Sequence, residues 1–315
     1  MANDSPIFLV GAARSGTTLL QYMLRSHPNL SGPTGESHFL VPMYRDQAAY
    51  GDLKNPANVR RALQTMHRIS TEFMETDLHG LKFDLDALAK QLAQAGDGSM
   101  VGLFEALYRA NANGEGKRRW IDKTPYYILH LPTILEMFPQ AQIVHIVRDG
   151  RDCAYSMLQR STDLGIYNYH HAAKTWQQYV EAGDRMREHL APTQFYELRY
   201  EDVLANGRET MEALCEFLGE PFDDSVVNFK KSQDAVGAER TPLLKQPLQA
   251  GNAEKWRKQL SPWQIRVVEA AAGDTLQRHG YPLATEGKRL SLPLRAAYRL
   301  HEKYRRARRN RARKN

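Results

Sequence analysis

Apolar residues gather into short strand-like runs separated by stretches of helical period, and each run ends in a polar or glycine-rich turn. Ile7 to Val10 is the first run, and it enters the loop Gly11-Ala12-Ala13-Arg14-Ser15-Gly16 before a helix from about Thr17 to Ser26. His27-Pro28-Asn29 stops that helix, and Leu30 to Gly35 leads on to Glu36. Residues 56 to 112 are mostly helical: Asn55-Pro56 opens the block, Phe83 to Leu92 and Met100 to Ala110 keep the helical spacing, and Asn113-Gly114 closes it. This block is expected as a helical insertion or lid.

The strand pattern resumes at Arg119 to Ile121, which ends in Asp122-Lys123-Thr124-Pro125 before a helix over Leu131 to Met137. Gln142 to Val147 is a buried-type strand followed by a helix over Arg151 to Gln159. A long helix from about Tyr169 to Leu190, a strand over Thr193 to Leu198 and a helix over Gly207 to Leu218 complete the alternation. Strands alternating with helices predict an α/β fold: a doubly wound sheet with mostly parallel central strands, helices on both faces, and ligands outside the carboxyl ends of the strands. Ser232 to Asn252 is Gly-, Pro- and Gln-rich and is expected as a loop over the site. Ser261-Pro262 starts a helix to His279, and Pro293 onward reads as an amphipathic basic helix. Residues 1–290 are therefore taken as one domain with an insertion at about 56–112, and 291–315 as a basic helix or tail; no internal repeat is found.

Composition changes this picture in two places. Across 315 residues the net charge is +7, but residues 301–315 hold eight Lys/Arg and one acid, so the tail accounts for all of it and the body is balanced. A specific nucleic-acid-binding body is not implied. Such a run is commonly a solvated, disordered end; the sharper reading places residues 293–315 on an anionic membrane surface through Leu294, Ala297, Tyr298, Leu300 and Tyr304. No stretch approaches the roughly 20 apolar residues of a membrane span, and Asp4, Pro6 and Arg14 around the first apolar run argue against a secretory leader, so a cytoplasmic location is expected. Cys153 and Cys215 are too few for a disulfide framework or a paired metal site. His170-His171 suggests no metal either, because neighbouring residues face different sides of a helix and no third ligand is evident.

Two motifs carry anion chemistry. A glycine-bounded loop between a buried strand and a helix aims backbone N–H groups and the helix's positive end at an anion. Gly11 and Gly16 keep the spacing of a P-loop, but Thr17 stands where a nucleotide kinase has its lysine, and Arg14 lies inside the loop. In the second motif, Arg148 ends a strand and Ser156 lies eight positions later, about two helical turns on, where the two side chains can grip one anion by charge and by a directed hydrogen bond. Alternatively Arg148 pairs with Asp152 and Ser156 is a helix-surface hydroxyl.

The wording RSGTTLL, HPN and GE, then VRDGR with a serine eight residues after its first arginine, resembles the sulfotransferases that use 3′-phosphoadenosine 5′-phosphosulfate (PAPS), nearest their tyrosylprotein and bacterial glycan-type branch. The resemblance implies that the first loop holds the 5′-phosphosulfate and that Arg148 with Ser156 holds the 3′-phosphate. It implies transfer of a sulfuryl group to an acceptor hydroxyl, leaving 3′,5′-bisphosphoadenosine (PAP), with no metal. Arg14 and the N–H groups of Ser15, Gly16, Thr17 and Thr18 would then supply the neutralisation that Mg²⁺ supplies in kinases. Glu36 in TGESHF matches the family's general base, with His27 and His38 as competing bases; Lys123 in DKTP matches the lysine that stabilises the transferring group. Tyr200 in RYEDV matches a tyrosine near the adenine. GNAEKWRKQL resembles a late loop over the donor, which would bring in Lys255, Trp256 and Arg257, unless Trp256 only anchors that loop.

The acceptor is expected among glycan or glycolipid hydroxyls, then peptide tyrosine, then a small alcohol or phenol, in a pocket built from residues 40–112 and 160–170. Two rivals stand beside this reading. One is a P-loop kinase of a small metabolite; the other is a non-catalytic nucleotide-binding adaptor that recruits partners through its basic tail.

Overall fold

The structure is a computed structural model, and it describes residues 4–33, 35–76, 84–229 and 252–312. The expected loop over Ser232 to Asn252 lies outside the described residues except for Asn252, and Phe83 lies outside them too.

Five parallel strands form the centre: β1 (Ile7–Gly11), β2 (Leu30–Ser31), β3 (Arg119–Lys123), β4 (Gln142–Val147) and β5 (Phe195–Arg199), in the order β2-β3-β1-β4-β5. This is the doubly wound sheet that the alternation predicts. The chain reverses direction across the sheet at β1, so the carboxyl ends of β1, β3 and β4 converge on one crevice, where open α/β sheets bind ligands. Alternate side chains of β1 are buried on opposite faces: Phe8 and Val10 join one core with Trp120 and Phe39, while Ile7 and Leu9 join another with Ile121, Val144 and Ile146.

Helix α1 (Thr17–Arg25) follows β1. The insertion contains α2 (Leu40–Arg45), α3 (Pro56–Ile69), α4 (Thr71–Thr76), α5 (Leu85–Ala95) and α6 (Met100–Gly114). Leu63, Leu92 and Phe104 share one core cluster with Phe8 and Trp120, so these helices are built into the domain rather than hinged over it. Beyond the insertion come α7 (Leu131–Met137), α8 (Gly150–Gln159), α9 (Ser161–Leu164), α10 (Tyr169–Arg187), α11 (Tyr200–Ala205) and α12 (Gly207–Leu218). Two longer helices close the chain, Pro262–Arg278 and Leu292–Ala312. None of the described helices is long and apolar enough to cross a membrane.

One boundary moves in a way that matters. Strand β3 runs on through Asp122 and Lys123, which pair in register with Phe8 and Leu9. Two consecutive polar residues mask a strand in the sequence, yet both are buried here, Asp122 at 2 % and Lys123 at 5 % exposure. Lys123 is thereby fixed to the sheet end and is no loop lysine.

Candidate active site

The loop between β1 and α1 turns tightly, with Ser15 N–H donating to Ala12 O at 3.1 Å. A Cβ on Gly11 would lie 2.6 Å from Ile146 O, and a Cβ on Gly16 would lie 2.8 Å from Cε2 of Tyr200, so both positions require glycine for space. Gly16 also takes φ 104° as the N-cap of α1 and brings no side-chain acceptor. The first-turn N–H groups of α1 therefore keep their donor capacity for an anion. Arg14 is held at φ 70°, a left-handed backbone that a non-glycine residue adopts only when its surroundings impose it.

The two anion motifs meet through their side chains. Arg14 Nε donates to Ser156 Oγ at 2.9 Å, across 142 residues. Arg148 donates through Nη2 to Asp152 Oδ2 at 3.1 Å and to Asn252 O at 2.8 Å, and its guanidinium lies 4.4 Å from the centre of the Tyr200 ring. Tyr200 thus packs between Gly16 and Arg148, joining loop and strand end. Two buried polar atoms here, Arg148 Nε and Ser15 Oγ, have no hydrogen-bond partner among the described residues. The Arg14 guanidinium is pushed below its ordinary range by burial and then by the nearby cations Arg160 and Arg148. Such an excess of positive charge, with buried donors beside it, fits a ligand carrying more than one anionic group.

A cleft of about 490 Å³ opens beside the loop, lined among others by Arg14, Thr18, Glu36, His38, Lys123 and Arg160. Lys123 Nζ lies 3.3 Å from Glu36 Oε1, and His38 Nε2 lies 3.0 Å from Glu36 Oε2. Burial alone would raise the Glu36 carboxyl, but the Lys123 ammonium and the His38 hydrogen bond outweigh it and hold the pKa at about 2. Glu36 is placed by its neighbour: Ser37 N–H donates to Thr124 Oγ1 at 3.0 Å, and the Ser37 hydroxyl pairs with Tyr127 OH at 2.9 Å. Tyr127 OH accepts from Leu40 N–H at 3.1 Å, and Ser70 Oγ donates to Ser37 O. These bonds fasten the Glu36 segment to the end of β3 and so fix the base candidate against the lysine. His38 sits at φ 42°, a second imposed left-handed backbone in the same few residues.

The competing bases separate. His27 is buried with both ring nitrogens engaged, Nε2 with Pro221 O at 2.8 Å and Nδ1 accepting from Asn29 N–H at 3.1 Å, which is a turn-stabilising role. His38 lines the cleft, but as the partner of Glu36. Of the late segment, Trp256 is buried, its backbone N–H donates to Asp152 Oδ1 at 2.8 Å, and its ring lies 3.8 Å beneath the Arg151 guanidinium. That is an anchor against α8. Arg257 is exposed, stacks on the same ring and pairs with Glu254 at 2.9 Å, while Lys255 is half-buried at the N-cap of the short helix Trp256–Gln259. None of these three lines the cleft.

Sequence reasoning placed Arg160 only within the 160–170 pocket range without singling it out, and missed the fastening role of Ser37 and Thr124. Arg160 had a legible signal, since it follows Ser156 by four residues and so shares its helix face. The Ser37–Thr124 bond had none.

A model of the sulfotransferase family matches residues 6–224. The chain belongs to the sulfotransferase family. Among curated relatives, it is 27% identical over 252 residues to the omega-hydroxy-beta-dihydromenaquinone-9 sulfotransferase Stf3 of Mycobacterium tuberculosis, covering 69% of this chain and 63% of that one. It is 23% identical over 228 residues to a protein-tyrosine sulfotransferase of Drosophila melanogaster, covering 71% of this chain and 40% of that one. The chain thus spans less than two thirds of the length of these relatives. Among solved structures, the sulfotransferase domain from the curacin biosynthetic pathway superposes with a TM-score of 0.64 at 24% identity, covering 90% of this chain and all of that one, and this likeness shows the shared fold. Glu36, Lys123, Arg14, Arg148, Ser156 and Tyr200 all fall inside the span that the family model covers, and Lys255, Trp256 and Arg257 fall beyond it.

Proposed function

We propose that this sulfotransferase-family chain moves a sulfuryl group from PAPS to an acceptor hydroxyl. The convergence of Arg14, Glu36 and Lys123 on one cleft, beside the paired anion motifs, carries the reading. The residues fit the donor: the N–H groups of Ser15, Gly16, Thr17 and Thr18 with Arg14 suit the 5′-phosphosulfate, and Arg148 with Ser156 suits the 3′-phosphate. Tyr200 stands beside both motifs, where a ring can face a base. Arg14, Lys123 and Arg148 supply the positive charge of this scheme.

In the reaction, the acceptor oxygen attacks sulfur, the bond from sulfur to the phosphate oxygen breaks, and PAP leaves. Glu36 takes the acceptor proton, and Lys123 and Arg14 stabilise charge on the transferring group. A carboxylate of pKa about 2 is ionised at any physiological pH but is a weak base. Drawing Lys123 toward the sulfuryl group removes its grip on Glu36, so donor binding itself strengthens the base. Ser70, Thr71, Glu72 and Arg160 also line the cleft and make that wall polar, which supports a hydroxyl-rich acceptor such as a glycan or glycolipid.

The test is transfer of label from ³⁵S-PAPS to a glycan, a glycolipid, a tyrosine peptide and a simple phenol, with and without chelator. Labelled glycan or glycolipid is expected, insensitive to chelator. Label on the tyrosine peptide alone overturns the acceptor class. Tight PAP binding without any transfer overturns catalysis in favour of an adaptor, and Mg²⁺-dependent turnover of ATP instead of PAPS overturns the donor.

A further inference from the structure

The basic C-terminal helix Leu292–Ala312 lies against the body through one face. Glu302, its single acid, is 4 % exposed and accepts from Tyr167 N–H at 3.1 Å and Asn168 Nδ2 at 2.8 Å. The Tyr298 ring stacks on His170 at 5.6 Å, and Arg306 Nε donates to Gly165 O at 3.0 Å. Tyr298, expected in an outward apolar stripe, is thus occupied inward because it shares the Glu302 face.

Leu300 and Tyr304 each stand two residues from Glu302, which at 3.6 residues per turn puts them about 160° round the helix from it. They are 70 % and 62 % exposed. Arg299, Lys303, Arg308 and Arg311 are exposed along the same helix, and the one acid among them is buried against the body. The docked face already supplies the helix's tertiary contacts, so the outward leucine and tyrosine have no part in holding it. We propose that this outward face seats the protein on an anionic lipid bilayer, apolar side chains in the interface and guanidinium groups on the lipid phosphates. Charge selects this occupant: a uniformly basic surface repels a second copy of itself, and an apolar centre between the arginines suits an acyl boundary rather than a nucleic acid.

The docked face of the same helix, opposite the seat, reaches the cleft wall. Arg306 and Arg309 bond the carbonyls of Gly165 and Asp163, and Leu164 between them lines the cleft wall, 38 % exposed. Ile69, also in that wall, is 40 % exposed. Leu164 and Ile69 thus give the cleft an apolar rim beside the docked helix.

Co-sedimentation of the full chain with sucrose-loaded vesicles tests the seat, using phosphatidylcholine alone and an equimolar mixture with phosphatidylglycerol. The native chain is expected to pellet with the mixed vesicles only, and the double variant Leu300→Glu, Tyr304→Glu to bind them about tenfold more weakly. Both substitutions face outward, so PAP binding by calorimetry stays at the native level and separates failure of the seat from failure of the donor site. Equal pelleting of native and variant chains, equal binding to neutral vesicles, or a native chain left in the supernatant each overturns the proposal. So does sedimentation-velocity dimerisation that the double variant abolishes.

Discussion

Replacing Lys123 by Met removes the ammonium that stands 3.3 Å from Glu36 Oε1 and leaves a side chain of similar length. Unit charges at that separation and an effective dielectric of about 20 attract by about 5 kcal/mol, but Glu36 is 38 % exposed, so water screens the pair. A neighbouring cation at this range moves a carboxyl by about 1 to 3 pH units. The Glu36 pKa, about 2 in the native chain against an ordinary 4.5, is therefore expected to rise to about 3 to 5, with the His38 bond still holding it down and burial pushing it up. Carbon-13 carboxyl titration, assigned with Glu36→Gln, reads this directly. A carboxyl whose pKa falls on folding adds stability that is complete above the unfolded value and is lost as pH falls through the folded one. For Glu36 that window runs from 4.5 down to about 2: the native chain holds the full contribution above it and loses it as pH falls through it, and the variant, with a smaller depression, has less of it to lose. At neutral pH the carboxyl is ionised in both, and any loss of turnover in the variant reports the sulfuryl group and not the base. A Glu36 that still titrates near 2 in the variant refutes the reasoning, because the depression would then come from His38 or the backbone.

Glu36→Gln should lower turnover by about 10² to 10⁴ while PAP affinity by calorimetry stays unchanged; full turnover would move the base elsewhere, with His38 next. Arg148→Ala should weaken PAP binding about tenfold to a hundredfold, the worth of a charge-assisted contact, and unchanged affinity would remove Arg148 from the donor site. Gly16→Ala puts a Cβ into the Tyr200 ring at φ 104°, so it should cost about 1 to 3 kcal/mol in urea unfolding and weaken PAP binding as well. Arg151→Met breaks a buried cluster in which Arg151 holds Asp149 and Glu269, each at 2.7 Å, above the Trp256 ring; about 3 to 5 kcal/mol of destabilisation is expected, and a loss below about 1 kcal/mol would show the cluster to be dispensable.

Period and punctuation are local properties, and what depends on them was legible in the chain. Four of the five strands, the helix after each of those four, the glycine loop after Val10 and the arginine after Val147 are all written within windows of about a dozen residues, whereas the two-residue strand Leu30–Ser31 reads as a connection and exists only through its pairing with β3. Where polarity contradicted burial, the reading stopped short: Asp122 and Lys123 look like loop residues and are strand residues, because the register with β1 buries them. The tail shows the reverse case. Its helical period is plain, yet the period cannot say which face meets the body, and the buried Glu302 decided it.

The sequence by itself therefore determined the α/β alternation, the two anion motifs and the residue types that chemistry requires. The tertiary structure decided which of them act together. Arg14 reaches Ser156 across 142 residues and Lys123 reaches Glu36 across 87, and both pairings exist only because the sheet order sets β3 and β4 on either side of β1. Strand order is a property of the packed sheet and is carried by no local pattern, since the residues of a strand do not name the strands that pair with it. The fastening of Ser37 to Thr124 follows from the same neighbourhood, and with it the distance between the candidate base and the lysine that governs its charge.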